Sequence, residues 1–206
     1  YAGGSFPTAG GVAVSYIAKW DGAAWSALGS GVNGTVRALR TDTAGNVYAG
    51  GDFTTAGGVT VNHAAKWSGS EWASLGAAMD DSVLSFVIDN AGAVYAGGNF
   101  TTAGGGAADR IAKWDGAAWA AYGDGAAYVS GEGLSGACGP MITDDAGNAY
   151  VGGGFSKAGN VAIQGIAKWD GAAWTPFGGV IDGVVGVLVK DNVGNLYASG
   201  GFSTAG

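Results

Sequence analysis

The chain is poor in the residues that most often carry chemistry or cross-link a fold. It has one cysteine, one histidine, two methionines and three prolines in 206 residues. A single Cys138 cannot form an intramolecular disulfide, so cysteine usage leaves the redox compartment open. His63 and Cys138 lie in different parts of the sequence, and neither belongs to a ligand-spaced pair such as HxxxH or CxxC. His63 therefore reads as an ordinary loop residue and Cys138 as a small buried hydrophobe. Basic residues are also scarce. Nine Lys plus Arg against 16 Asp plus Glu give a net charge of -7, which leaves no stripe to neutralise phosphates and disfavours nucleic acid and anionic membranes. No apolar run approaches the roughly 18 residues of a membrane span. The first residue, Tyr1, falls inside a repeat, with no initiator Met and no signal peptide, so the chain reads as a piece of a longer one.

What is abundant is glycine, with 43 residues, and aromatics, with 8 Trp, 8 Tyr and 7 Phe, in a chain that is 48% hydrophobic. Regularly spaced aromatics separate this composition from a disordered one and make the glycines corners. Tyr1, Tyr48, Tyr95, Tyr150 and Tyr197 fall in register at spacings of 47, 47, 55 and 47. The units are 1–47, 48–94, 95–149, 150–196 and a partial 197–206, one repeat domain over 1–206.

Each unit splits into four short extended segments. The first, as in Val36 to Thr41, ends in a corner DTAGN, with DNAGA, DDAGN and DNVGN at Asp89, Asp144 and Asp191. There an Asp can accept from the backbone two residues on and a Gly supplies positive φ. The second segment, Val47 to Phe53, surrounds a glycine doublet. The third, AAKW or IAKW, turns through a DG or SG corner into the fourth, where a Trp follows the previous one by five residues. No stretch of 11 or more residues carries a 3.6-residue apolar period without an interrupting glycine, so helix is a poor alternative. The expected fold is all-β: a β-propeller of four-stranded antiparallel blades of about 47 residues, thin sheets that must stack to bury both faces. The count is four blades' worth plus one surplus strand. Either Val184 to Lys190 pairs with Tyr1 to Phe6 and closes a four-bladed ring, or the piece belongs to a larger ring, or open edges join neighbouring chains.

YAGG at Tyr1, Tyr48 and Tyr95, YVGG at Tyr150, and the Trp opening each fourth segment resemble the kelch repeat over nearly the whole chain. YAGGDFTTAGG and IAKWDGAAWSALGSGV are similar to repeats of large secreted bacterial surface proteins and fungal cortical polarity-marker proteins. The final unit departs, reading YASGG. The resemblance implies a propeller and often extracellular or cell-surface placement, with no shared chemistry. Galactose oxidase shares the kelch-like blade, but its copper site relies on two histidines and a Tyr–Cys link, which a single His cannot supply. Sialidases need an arginine cluster, and Arg37, Arg40 and Arg110 are the only arginines. No glycosidase carboxylate pair stands out. No catalytic residue, metal or cofactor is assigned.

The lysines Lys19, Lys66, Lys113 and Lys168 precede the third-segment Trp in every unit. They read as structural, with stems on Trp and ammonium groups paired to an Asp or a carbonyl, and a ligand-binding lysine ring is the alternative. The tryptophans read as core, with sugar platforms as the minority reading. Binding is expected where the units differ: at Ser15-Tyr16, Asn62-His63, Asp109-Arg110 and Gln164-Gly165, and after the doublet at Ser5, Asp52, Asn99 and Gly154. All fall on the loop face, opposite the two hairpin corners. An eight-residue insertion within Gly123 to Gly139 adds Asp124, Tyr128 and Glu132, as a functional loop or as tolerated length variation, with a weak calcium reading for Asp124 and Glu132. The expected function is a non-enzymatic module for binding or scaffolding a glycan or protein through Tyr16, Asp52, Asn62, His63, Asn99, Asp109, Arg110, Tyr128, Glu132 and Gln164. A self-assembling homo-oligomer formed by edge-strand pairing or strand exchange is the alternative, and a hydrolase or lyase is the least favoured reading.

Overall fold

The computed structural model describes residues 1–77, 79–122, 134, 136 and 138–206. Among them there is no helix, and the backbone forms small antiparallel sheets of two to four strands. Sheet I has three strands, Ala2–Gly3, Ile17–Trp20 and Trp25–Ala27. Sheet II has four, Val36–Thr41, Val47–Gly51, Ala64–Trp67 and Trp72–Ser74, hydrogen-bonded in chain order. Sheets III and IV repeat it, opening at Val83–Ile88 and Cys138–Thr143 and closing at Trp119–Ala121 and Trp174–Pro176. Sheet V is a pair, Val184–Lys190 with Leu196–Gly201. Val184–Lys190 thus pairs with its own hairpin partner and not with Tyr1 to Phe6. The closure of a four-bladed ring within the chain is not observed.

The corners obey the chemistry read from the sequence. Asp42 Oδ1 accepts from the Ala44 and Asn46 N–H groups at 3.0 and 2.9 Å, and Gly45 has φ 84°. Asp144 and Asp191 repeat this, and Asp89 does so through Ala91 and Ala93. At the second corner, Asp21 Oδ1 accepts from Ala23 and Ala24, both at 2.8 Å.

The connection from second to third strand holds an element the sequence reading did not anticipate. It folds into its own two-residue ladder, such as Thr55–Ala56 with Val59–Thr60. Gly57 and Gly58 turn it at φ 58° and 82°, the two left-handed residues of a type I′ hairpin. Isolated bridges Val32↔Ala56, Met79↔Ala103, Leu134↔Ala158 and Ile181↔Ala205 tie the linker between sheets to this ladder. Side chains reinforce the tie. Asn33 Oδ1 accepts from the Thr54 and Thr55 N–H groups at 2.8 and 2.9 Å, and Asp80 and Asp182 do the same for Thr101–Thr102 and Ser203–Thr204.

The sheets bury their faces against one another, and four apolar clusters fill the gaps between successive sheets. The first glycine of each doublet sets the approach. A Cβ on Gly50 would stand 2.6 Å from Val83 Cγ1 and 2.8 Å from the Phe86 ring; on Gly3, Gly97 and Gly152 it would meet Val36, Cys138 and Val185. The first strand of each sheet lies in that slot. Cys138 is fully buried there, as expected of a small hydrophobe, and burial pushes its thiol up. In sheet V the equivalent position carries a Cβ, because the exposed Ser199 stands where Gly50 stands in sheet II.

Tryptophan also joins sheets. Trp72 Nε1–H donates to the Leu28 carbonyl at 2.8 Å and Trp119 Nε1–H to the Leu75 carbonyl at 2.7 Å, each across one sheet boundary. Trp67, Trp72, Trp119, Trp169 and Trp174 are buried as the core reading expects, whereas Trp20, on the outer sheet I, is 46% exposed. Among the described residues, Trp174 Nε1 is buried without a partner. Replacing Trp119 by Phe removes a bond and orphans a carbonyl, and the same change at Trp174 removes neither. Urea unfolding is expected to show Trp119→Phe costing about 1 kcal/mol more than Trp174→Phe; equal losses would refute the assignment.

Candidate functional site

The loop face is built by the tight passage into each third strand. Ser15-Tyr16 sits at φ 46° and 71°, Asn62-His63 at 41° and 74°, and Asp109-Arg110 at 36° and 73°. Two consecutive left-handed residues reverse the chain so that the second carbonyl accepts from the doublet: the Tyr16, His63, Arg110 and Gly165 carbonyls accept from Gly4, Gly51, Gly98 and Gly153 N–H. Gln164-Gly165 departs from this: Gly165 alone is left-handed, at φ 79°, and its carbonyl still accepts from the doublet.

The expected site residues fall on this face in separate groups. Asp52 is the centre of one. Its Oδ1 accepts from Arg37 Nε at 2.7 Å and from Ser82 Oγ of the next sheet at 2.7 Å. Arg37 reaches it because the first strand is bulged between Val36 and Ala38, and a bulge re-aims the side chain it carries. The Arg37 guanidinium holds the Asp52 carboxyl below its usual range against a smaller burial effect, with Ser82 and the His63 ring adding to the lowering. His63 is half-buried and its Nδ1 meets the Gly51 carbonyl at 3.0 Å, so it is tied to the doublet rather than to a free loop.

Arg110 Nη1 donates to the Leu134 carbonyl at 2.9 Å, and the Asp109 carbonyl accepts from Leu134 N–H. Tyr16 packs on the cluster between sheets I and II. Asn99 is exposed beside them, its N–H donated to the Ser82 carbonyl. Gln164 and Gly154, the two variable positions of the fourth unit, line one cleft of ≈ 290 Å³ with Phe155, Ile181 and Asp182. Asp124, Tyr128 and Glu132 lie outside the described residues, and with them the calcium reading. Among the described residues no cluster of three or more His, Cys, Asp or Glu side chains could hold a metal.

The repeated lysines differ from expectation. Lys66, Lys113 and Lys168 hold their ammonium groups 5.5, 5.3 and 5.8 Å from the ring centroids of Tyr48, Tyr95 and Tyr150. Register explains this, since each lysine is directly opposite that tyrosine. The tyrosine hydroxyls in turn donate to Asp42, Asp89 and Asp144 at 3.4, 2.8 and 3.1 Å. Lys and corner Asp are thus linked through an aromatic ring, not by the direct pair that their opposite charges suggested.

No protein-family model and no curated protein matches the chain. Among solved structures, a similar chain is described as the extracellular domain of a hybrid two-component system from B. thetaiotaomicron, at 12% identity and a TM-score of 0.49. The similarity covers 79% of this chain and 20% of that one.

The corner carboxyls of Asp42 and Asp144 titrate below their usual range: burial alone would raise them, and hydrogen bonds from Asn46 and Asn148 outweigh it. A depressed folded value stabilises the fold above the unfolded value, near 3.9, and that stability is lost as pH falls through the folded one. Acid unfolding followed by tryptophan fluorescence is expected to be flat from neutral pH to about 5 and to fall steeply below about 4. Asp42→Asn/Asp144→Asn flattens that fall; an unchanged acid limb would remove these corners as its source.

Proposed function

We propose that the stacked sheets are blades of a kelch-like β-propeller and that the protein is a non-enzymatic, extracellular or cell-surface module whose loop face binds a glycan or a protein. One observation carries the reading. At the second residue of the third-strand passage the backbone is left-handed in every unit, and Gly165 shows the residue that suits it. Tyr16, His63 and Arg110 hold bulky side chains there, each at a conformational cost of about 1 kcal/mol or more. Strain kept at the positions that vary between units, on one face, is what a recognition surface requires.

Tyr16→Gly/His63→Gly/Arg110→Gly separates the two roles. Relief of the left-handed strain is offset by loss of the Tyr16 packing and the His63 and Arg110 hydrogen bonds, so the triple variant is expected to stay folded, checked by a cooperative thermal transition, and to lose binding on a glycan array and in a pull-down. A blank array and pull-down with the unmodified chain would sink the proposal.

A second reading, self-assembly through sheet edges, is favoured by the two outer sheets. The outer edge of Ala2–Gly3 carries no neighbouring strand, and Val184, Val187, Val189 and Tyr197 are each more than half exposed. Val184–Lys190 of one copy would complete sheet I of another as Val36–Thr41 completes sheet II. Light scattering is expected to show concentration-dependent oligomers that grow when Tyr197 to Gly206 is deleted; monomers in both cases would rule it out.

A further inference from the structure

A cleft of ≈ 470 Å³ lies between sheets II and III, lined chiefly by Tyr48, Lys66, Leu75, Lys113 and Trp114. It opens beside the corners at Ala91–Ala93 and Asp115–Gly116, away from the loop face. The other units show what such a gap accepts. Leu75 stands three residues after Trp72, a place held elsewhere by Leu28, Tyr122 and Phe177. Where that residue is aromatic, its ring stands edge-on against the tyrosine of its own sheet. Tyr122 meets Tyr95 at 4.8 Å and 74°, and Phe177 meets Tyr150 at 4.9 Å and 76°. Tyr122 also lies 5.2 Å from Trp169 of the following sheet, the counterpart of Trp114, and is buried between the two. Between sheets II and III both aromatic walls, Tyr48 and Trp114, are present, and Leu75, buried in the same cluster, fills the place with a side chain smaller than that of Tyr122 and without a ring.

Charge further defines the gap. The Lys66 and Lys113 ammonium groups border it, and the ion pairs among the described residues, Arg37–Asp52 and Lys190–Asp145, involve neither. The one carboxylate on its rim, Asp115, is held by the Ala117 and Ala118 N–H groups at 2.8 and 2.9 Å. A volume of this size is within the range of small-molecule sites, and the lining is largely polar, with Tyr48, Leu75 and Trp114 as its apolar part.

We propose that this cleft binds a small aromatic carboxylate, its ring between Tyr48 and Trp114 as the Tyr122 ring lies between Tyr95 and Trp169, and its acid group on Lys66 and Lys113. Edge-to-face contact with Tyr48 supplies ring selectivity, and two ammonium groups supply charge selectivity.

Calorimetric titration of the whole chain with 4-hydroxyphenylacetate tests this, with the Trp114 indole N–H followed by NMR. Saturable binding in the millimolar range or tighter is expected, with the Trp114 resonance shifted. The neutral analogue 4-hydroxyphenylethanol and the Lys66→Gln/Lys113→Gln variant should each bind about tenfold more weakly. Leu75→Tyr fills the cleft from within and should abolish binding while the thermal midpoint holds or rises; Leu75→Phe, copying Phe177, gives the same readout if the tyrosine is not accepted. Absence of saturation, undiminished binding by the filled variants, equal affinity for the neutral analogue, or equal affinity for a uronic acid would each overturn the assignment. Loop-face variants leave this binding unchanged, so its failure is distinct from failure of the loop-face reading.

Discussion

The structure depends on the closeness with which one thin sheet can approach the next. A sheet of short strands has two faces and no interior, so every apolar side chain on it is buried only by a neighbour. The doublet glycine permits this. With no Cβ at Gly50 or Gly97, a valine or cysteine from the following first strand enters the space, and the aromatic rings on either side close around it. A methyl group there would overpack a contact that repeats along the chain, at about 1–3 kcal/mol each time. The tryptophan N–H bonds to Leu28 and Leu75 depend on the same approach.

Around that contact the repeat uses each residue type for a distinct purpose. The corner Asp fixes the turn, the tyrosine hydroxyl reaches back to the Asp, and the lysine lies over the tyrosine ring. Arg37 and Asp52, on the other side, couple one sheet to Ser82 of the next. Polar groups are thus concentrated at the two ends of the sheets; the corner end repeats the same residues, and the loop end is where the units diverge.

The period, the four extended segments, the corner Asp and Gly, and the tryptophan core were legible because each is specified within a few residues. Contacts that span longer separations were not. Asn33 caps the backbone at Thr54, and Asp182 does so at Ser203, 21 residues on in each case. The short ladder between second and third strands was signalled by the glycine pair Gly57-Gly58, a hairpin turn that the reading passed over. The lysine–tyrosine contact follows from strand register, which opposite charges alone do not reveal. The left-handed backbone at Tyr16, His63 and Arg110 was hidden by their bulk, and Gly165 at the equivalent place was the available sign. Of the loop-face residues, Asp52 centres one cluster and Gln164 lines a separate cleft, a division set by contacts between sheets that the sequence does not reveal.

Ser199 gives the stack a direction. On the four preceding sheets the glycine slot receives the next first strand; on sheet V the equivalent position is the exposed Ser199, which carries a Cβ where Gly50 has none. A sixth sheet can sit there only if its own contacting residue is cut down to glycine or alanine, so a copied unit pasted after this strand would not fit as its predecessors do. Lengthening by duplication is thereby coupled to a compensating change on one side of the new junction, and a Gly-to-Ser substitution is within reach of a single base change.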